Sequence, residues 1–277
     1  MSKKYKLVIS GGDSFTFGAE LHNENENPKI PHYSSWANLV ASKISMRHLN
    51  LARSGRSNAY TVRHVLDALA NTEVESQDIF VQVMWTFTDR YEYALMQPTG
   101  EYDSPWYPFS VHSADNEIES SWFRALPEST PNWKFTRDDL VTKYHRSMNL
   151  GVIDFAKQYN RIVQTNPLNT SYSNIKDILL LQNYLKLHKI DYMFTYVNHY
   201  VTDALKKTAV KTPGSQYLNS IRTLIDWEKW FEFPGNTNYT GFGFDDWAKL
   251  NNYSYATSHP LKTAHKDCAD LIVNQIY

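Results

Sequence analysis

Cysteine is almost absent from this sequence, which has a single such residue, Cys268, among 277. One cysteine excludes an intrachain disulfide and a cysteine metal cluster, and it suits a reducing compartment. The H-E-x-x-H pattern and other metal-ligand spacings are also missing. Around Gly12 there is neither a G-x-G-x-x-G motif nor a P-loop lysine. The sequence therefore predicts no metal and no other cofactor.

Long apolar runs and an excess of one charge are missing too. No stretch approaches the ~20 apolar residues of a membrane span, and the apolar run after the basic first residues is too short for a secretory signal. The formal net charge is −1, which predicts no surface for nucleic acid or for a membrane. We expect a cytoplasmic protein whose partner is a small molecule, and the oligomeric state stays open.

Aromatic residues, in contrast, are abundant, at 14% of the chain with 19 Tyr and 8 Trp. Such side chains suit sugar-binding or partner-binding grooves, and an aromatic-rich core is the alternative. They are dense in residues 91–137 and 198–258, where no clean periodicity is visible. We interpret the first stretch as a cap or insertion and the second as an irregular loop region, both within one domain spanning residues 1–277.

Short apolar segments alternate with segments of helical periodicity in the first 85 residues. Strands are predicted at residues 5–10, 48–52 and 78–85, and helices at 35–45 and from about residue 58 onward. This order predicts an α/β protein with a flavodoxin-like three-layer α/β/α sandwich around a parallel sheet. Because ligands bind at the carboxyl ends of such strands, we expect Ser14, Gly55 and Thr86 to meet at one edge.

The first strand runs into the sequence G-D-S-F-T-F-G at residues 12–18. Glycine has no Cβ, so the chain can turn sharply there and expose Ser14 at the sheet edge. Ser14 is a candidate nucleophile, provided that a histidine elsewhere acts as its base. Asp13 is predicted to shape the turn through bonds to the backbone.

Three stretches together resemble the SGNH (GDSL-type) hydrolases. Residues 12–18 look like the first block of that family, residues 50–57 (N-L-A-R-S-G-R-S) resemble its glycine-centred second block, and residues 258–260 (S-H-P) resemble the last block, which carries the catalytic histidine. The resemblance implies that Ser14 is the nucleophile and His259 its general base. It also implies that the N–H groups of Ser14 and Gly55 bind the oxyanion.

By this resemblance the protein would be a serine esterase. It would remove an acyl group, such as acetyl, from a carbohydrate or other small polar ester through an acyl-Ser14 intermediate. The alternatives are a non-catalytic carbohydrate-binding or assembly module of the same fold, and an acyltransferase that uses the same site.

The third block departs from the family pattern, which supplies an asparagine as a further oxyanion donor. Here the third strand leads into W-T-F-T-D-R at residues 85–90, without asparagine. Thr86 is the best substitute because a hydroxyl can also donate, and Thr88 is the second. Arg90 and Trp85 are candidate substrate contacts, and Arg90 could instead hold a nearby carboxylate.

The last block departs as well. The family usually has an aspartate three residues before the histidine, and here that residue is Ala256. A Ser–His dyad oriented by a backbone carbonyl, an acid from Asp245 or Asp246 that reaches back, and a weak or dead site are the three explanations left open.

Overall fold

The computed structural model describes residues 5–23, 26–45, 47–94, 106–110, 158–164, 166–206, 215–235 and 241–276. Within these residues the strands are β1 (Leu7–Gly11), β2 (His48–Asn50), β3 (Ile79–Trp85), β4 (Arg90–Ala94), β5 (Trp106–Ser110) and β6 (Asp191–Tyr196). Four of them form a parallel sheet in the order β2-β1-β3-β6, and β4 pairs with β5 in an antiparallel ribbon. The order 2-1-3 at the start of the sheet is that of flavodoxin-like folds.

Helices cover both faces of the parallel sheet. They are α1 (Ser14–Phe17), α2 (Trp36–Ile44), α3 (Asn58–Ala70), α4 (Pro167–Leu187), α5 (His199–Lys206), α6 (Ser215–Arg222), α7 (Phe244–Leu250) and α8 (Lys262–Ile276). One core cluster joins the sheet to α2, α7 and α8, and the other joins it to α3, α4 and α5. The predicted three-layer α/β/α architecture is therefore confirmed. None of the described helices combines the length and the apolar character that a bilayer crossing requires.

The central strands are apolar throughout because both of their faces are covered. Every residue of β3 is buried: Phe80 and Met84 join the α2 side of the core, and Val81 and Val83 join the α3 side. Trp85 follows the same alternation and packs edge-on against Phe194, with ring centroids 5.2 Å apart. The prediction that Trp85 contacts substrate is thus wrong, because its fully buried ring belongs to the core.

Residues 198–258 are more regular than the sequence indicated. The region contains α5, α6, α7 and a 3-10 turn at Trp227–Lys229. Each of these helices has only seven or eight residues, which is too short for a helical period to stand out from the sequence. Of the predicted insertion at 91–137, the structure describes only the β4–β5 ribbon, and the rest lies outside the described residues.

A polar chain is buried between the sheet and α2. Ser10 Oγ and His48 Nε2 are 2.7 Å apart, and Gln82 donates to Ser10 Oγ at 2.7 Å and to the carbonyl of Ala37 at 2.9 Å. Burial lowers the pKa of His48 to about 4, so its ring is neutral at pH 7 and shares a hydrogen bond with the serine hydroxyl. This serine–histidine pair lies inside the fold, since Ser10 has no exposed surface.

His265 connects the last helix to the second. It is fully buried in α8, and its Nδ1 accepts a hydrogen bond from the N–H of Trp36 at 3.1 Å. Its ring also packs against Phe244, with the centroids 5.0 Å apart. Burial lowers the pKa of His265 to about 3, because a charged imidazole is disfavoured away from water.

We expect His265 to make the fold sensitive to acid. Between about pH 6.5 and its folded pKa of about 3, the unfolded chain binds a proton that the folded chain does not, so stability falls as the pH falls. His265 alone should contribute about 1.4 kcal/mol per pH unit within that window. Urea unfolding at pH 7 and pH 5 measures the loss, which should be smaller by about 2 kcal/mol in His265→Gln. An equal loss in both proteins would contradict this role.

Candidate active site

Ser14 is held at the carboxyl end of β1 by a turn that only glycine permits. Gly12 has φ +148°, and a Cβ there would lie 2.3 Å from Thr16 Oγ1. Ser14 then opens α1, directly after the N-cap residue Asp13, and keeps 5% of its surface exposed. Among the described residues, neither its hydroxyl nor its N–H has a hydrogen-bond partner. Both groups are thus left for a ligand.

Gly55 lies in the loop after β2, next to the Ser14 turn. The N–H of Arg53 donates to the carbonyl of Gly12 at 3.4 Å, which joins the two loops. Gly55 has φ +73°, a left-handed conformation that favours glycine. Its N–H has no acceptor within the part of the chain that is described. The two backbone donors implied by the family resemblance are therefore both unoccupied.

His259 lies in a tight reversal that leads into α8. Tyr255 and Pro260 form an antiparallel bridge, and the N–H of Ala256 donates to the carbonyl of His259 at 3.0 Å. The imidazole packs on the ring of Phe15, the neighbour of Ser14, with centroids 4.7 Å apart. Nδ1 lies 3.0 Å from Ser258 Oγ and 3.2 Å from a carboxylate oxygen of Glu20. Nε2 has no hydrogen-bond partner among the described residues.

Ser14 and His259 are thus neighbours through Phe15 but are not hydrogen-bonded to each other. Catalytic hydrogen bonds are often long in the free enzyme and tighten when substrate binds. Within the described residues, the arrangement leaves an unpaired hydroxyl and an unpaired imidazole nitrogen on two loops that meet at Phe15.

The acid against His259 is not the one that the sequence pointed to. Asp246 instead accepts from the backbone N–H of His199 at 2.6 Å and lies 2.7 Å from its Nδ1. Asp245 pairs with Lys249 at 2.7 Å and accepts from Tyr255. Both carboxylates are therefore engaged elsewhere, which corrects the expectation that one of them orients His259. Ala256 is exposed at the tip of the reversal.

Thr86 and Arg90 both bind the buried carboxylate of Asp13. Thr86 donates its hydroxyl proton to Asp13 Oδ2 at 2.5 Å, and Arg90 Nη1 donates to the same oxygen at 2.7 Å. Of the two roles considered for Arg90, the structure therefore shows the nearby carboxylate. Thr86 remains a prediction as an oxyanion donor, because its hydroxyl would first have to leave Asp13. Asp13 also accepts from the N–H of Phe15, as predicted for a turn-shaping residue.

Asn58 is a residue whose role the sequence did not reveal. Its side chain accepts from the N–H of Thr86 at 2.9 Å and donates to the carbonyl of the same residue at 3.0 Å. It also donates to Asn174 of α4 at 2.6 Å. The sequence predicted only that a helix begins near Asn58, and Ser57 is the N-cap of that helix, accepting from the N–H of Tyr60. Asn58 instead fixes the end of β3 beside the Ser14 turn.

The comparisons with known proteins can now be set beside this geometry. No protein-family model and no curated protein matches the chain. Among solved structures, a carbohydrate esterase matches with 10% identity and a TM-score of 0.38, and an acetyl xylan esterase from the rumen bacterium Butyrivibrio proteoclasticus with 11% and 0.43. Both matches cover 100% of this chain, which spans 69% and 64% of theirs. A lipolytic protein of the G-D-S-L family from Veillonella parvula matches with 11% identity and a TM-score of 0.25, over 79% of this chain and 95% of that one.

Two of these neighbours are thus esterases, and the third is a lipolytic protein of the G-D-S-L family. Because the identities are 10–11% and the TM-scores 0.25–0.43, the roles of Ser14, His259 and the oxyanion donors rest on the geometry of the site itself.

Among the residues that sequence reasoning missed, Glu20 bears most directly on this site. It lies six residues after Ser14, in a stretch to which the sequence analysis assigned no site residue. Burial opposes its ionisation, but hydrogen bonds from Ser258 and His259 outweigh this and lower the pKa of Glu20. Its carboxylate is therefore charged at neutral pH. No local motif marks such an acid, because its partner is 239 residues away.

Proposed function

We propose that this protein is a serine ester hydrolase of the SGNH type, with Ser14 as nucleophile and His259 as general base. The observation that carries the proposal is that Phe15, the neighbour of Ser14, packs on the imidazole of His259, which is anchored through Nδ1. Among the described residues, the Ser14 hydroxyl, the Ser14 N–H and His259 Nε2 have no hydrogen-bond partner. An anchored imidazole with a free second nitrogen is the arrangement that activates a serine.

The proposed reaction has two stages, the acylation of Ser14 and the hydrolysis of the acyl-Ser14 ester. Ser14 Oγ attacks the ester carbonyl carbon while His259 Nε2 takes the hydroxyl proton. The N–H groups of Ser14 and Gly55 donate to the oxyanion of the tetrahedral intermediate, and each such donor is typically worth about 3 kcal/mol. The C–O bond to the alcohol then breaks, and the alcohol leaves with the proton from His259. Water, deprotonated by His259, attacks the acyl-Ser14 ester and releases the acid.

The substrate class that we propose is an acyl ester, such as an acetyl ester, of a carbohydrate or another small polar alcohol. Its support is the aromatic and polar loop between α1 and α2. Tyr33 is 64% exposed and stacks on the buried ring of His32, with centroids 4.3 Å apart. A tyrosine held in this way offers one apolar face and a polar tip to a ligand.

A fluorophosphonate tests the proposal directly, because it phosphonylates a serine only where a base activates it. We expect native protein to gain one adduct, which peptide mass mapping places on Ser14, and denatured protein to gain none. Hydrolysis of p-nitrophenyl acetate should be lost in parallel. If the native protein takes up no label and hydrolyses no aryl ester, the enzymatic function is refuted and a binding module of the same fold remains.

A further inference from the structure

We propose that Glu20 is the acidic residue that orients His259, so that the acid comes from the nucleophile's own loop rather than from the histidine's. This inference rests on the proposed function for its catalytic meaning, while the contact between Glu20 and His259 can be tested without it. Glu20 acts through His259 and does not touch the substrate, so it is a positioning residue.

The carboxylate of Glu20 is fixed by four contacts to two consecutive residues. Oε2 accepts from the backbone N–H groups of Ser258 at 2.9 Å and of His259 at 3.0 Å. The same oxygen lies 3.2 Å from His259 Nδ1. Oε1 accepts from the hydroxyl of Ser258 at 3.3 Å, whose oxygen is in turn 3.0 Å from Nδ1. Nδ1 thus lies within ion-pair distance of the carboxylate, and Ser258 Oγ bridges Nδ1 to Oε1 by hydrogen bonds.

The backbone at Glu20 points to the same role. Its φ of +64° is a left-handed conformation that residues other than glycine and asparagine adopt rarely. The loop around it is tied down, since the N–H of Leu21 donates to the carbonyl of Gly18 and the N–H of His32 donates to the carbonyl of Phe17. Unusual backbone conformations at a side chain that meets a reactive group are a recurring feature of functional sites.

This placement accounts for Ala256. An acid that accepts the Nδ1 proton keeps the imidazole in the tautomer whose Nε2 is a base, and it stabilises the ring when Nε2 takes a proton. Glu20 reaches Nδ1 from the side of α1, so an aspartate three residues before His259 is not needed. His259 side-chain exposure is only 14% and that of Glu20 28%, so the pair is partly shielded from water.

Nitrogen NMR of the full-length protein measures the tautomer without any substrate. In the native protein we expect the neutral imidazole of His259 to carry its proton on Nδ1. In Glu20→Ala the carboxylate that accepts the Ser258 hydroxyl proton is gone, so that hydroxyl can donate to Nδ1 instead, and we expect the Nε2-protonated form to dominate. Glu26→Ala is the matched control, because Glu26 lies in the same loop and is 3.2 Å from a different histidine, His32. An unchanged His259 tautomer in Glu20→Ala would overturn the proposal.

Kinetics separate positioning from a merely structural role. Glu20→Gln keeps an oxygen that can accept from the two backbone N–H groups, so the loop stays folded, but it removes the charge that stabilises the imidazolium. We expect kcat for an aryl ester and the fluorophosphonate labelling rate to fall about 10²-fold or more, with KM little changed. A wild-type rate in Glu20→Gln would refute the role. Absence of labelling in the wild type would refute the proposed function instead, and the tautomer result would still decide the contact.

Discussion

Replacing Ser14 by alanine is expected to lower kcat/KM for a short aryl ester by about 10⁴-fold or more. The loss should be this large because the proposed reaction runs through a covalent bond to Ser14 Oγ, an atom that alanine lacks. Ester hydrolysis followed by absorbance measures it, and the fluorophosphonate adduct should disappear from the same variant. The fold should be unaffected, since the hydroxyl that is removed makes no hydrogen bond to a described residue.

The chain offers a sharp control four residues earlier. Ser10 is in hydrogen-bond contact with a histidine, His48, at 2.7 Å, so by distance alone it is the better serine–histidine pair. It is nevertheless fully buried between β1 and α2, where no ester can reach it. Ser10→Ala should keep wild-type hydrolysis and labelling while losing about 1 kcal/mol of stability through the broken hydrogen bonds. Unfolding in urea separates the two effects.

The opposite results for these two variants would contradict the assignment of Ser14 as the nucleophile. If Ser14→Ala retained most of the esterase activity, the nucleophile would have to be another residue. If Ser10→Ala lost activity at unchanged stability, the buried pair would have to open to substrate. Either result would also contradict the assignment of the Ser14 and Gly55 N–H groups as oxyanion donors.

The architecture could be predicted because its signals are local. Alternation of short apolar runs with helical periods gave the parallel sheet and both helix layers, and the glycine turn marked Ser14 at a strand end. Several of the contacts that the prediction missed join residues that are distant in sequence. Glu20 meets His259 only after the chain has built the whole sheet, and the cluster around Asp13 draws on Thr86 and Arg90, more than 70 residues away.

Two other predictions, that Trp85 contacts substrate and that Asp245 or Asp246 orients His259, were wrong for geometric reasons. Trp85 was interpreted as a candidate substrate contact, but side chains alternate along a strand and its position faces the α3 layer. Asp245 and Asp246 are near His259 in the sequence, but their carboxylates bind other residues in the fold. The start of α7 commits them to other partners, Asp246 to His199 and Asp245 to Lys249.

The second large effect is expected at Asp13, whose carboxylate has no exposed surface. It accepts from the N–H of Phe15 at 3.0 Å, from the hydroxyl of Thr86 at 2.5 Å and from Arg90 at 2.7 Å. Asp13→Ala removes the acceptor for all three and leaves the charge of Arg90 without this carboxylate. Breaking a buried ion pair by deleting one partner costs about 3–5 kcal/mol. Because the Arg90 side chain is 19% exposed and can be partly hydrated, we expect about 3 kcal/mol.

Urea unfolding of two further variants identifies the source of that loss. Asp13→Asn keeps an oxygen for the N–H of Phe15 but places an amide NH2 where Oδ2 accepted from Thr86 and Arg90, so it should retain only about 1 kcal/mol relative to Asp13→Ala. Asp67→Ala removes an exposed acid whose carboxylate accepts from Asn71 on the same helix, and it should stay within about 0.5 kcal/mol of wild type. Equal stability of Asp13→Ala and the wild type would show that the carboxylate does not hold the turn. Since that turn presents Ser14, the labelling rate of Asp13→Asn should fall even where the protein remains folded.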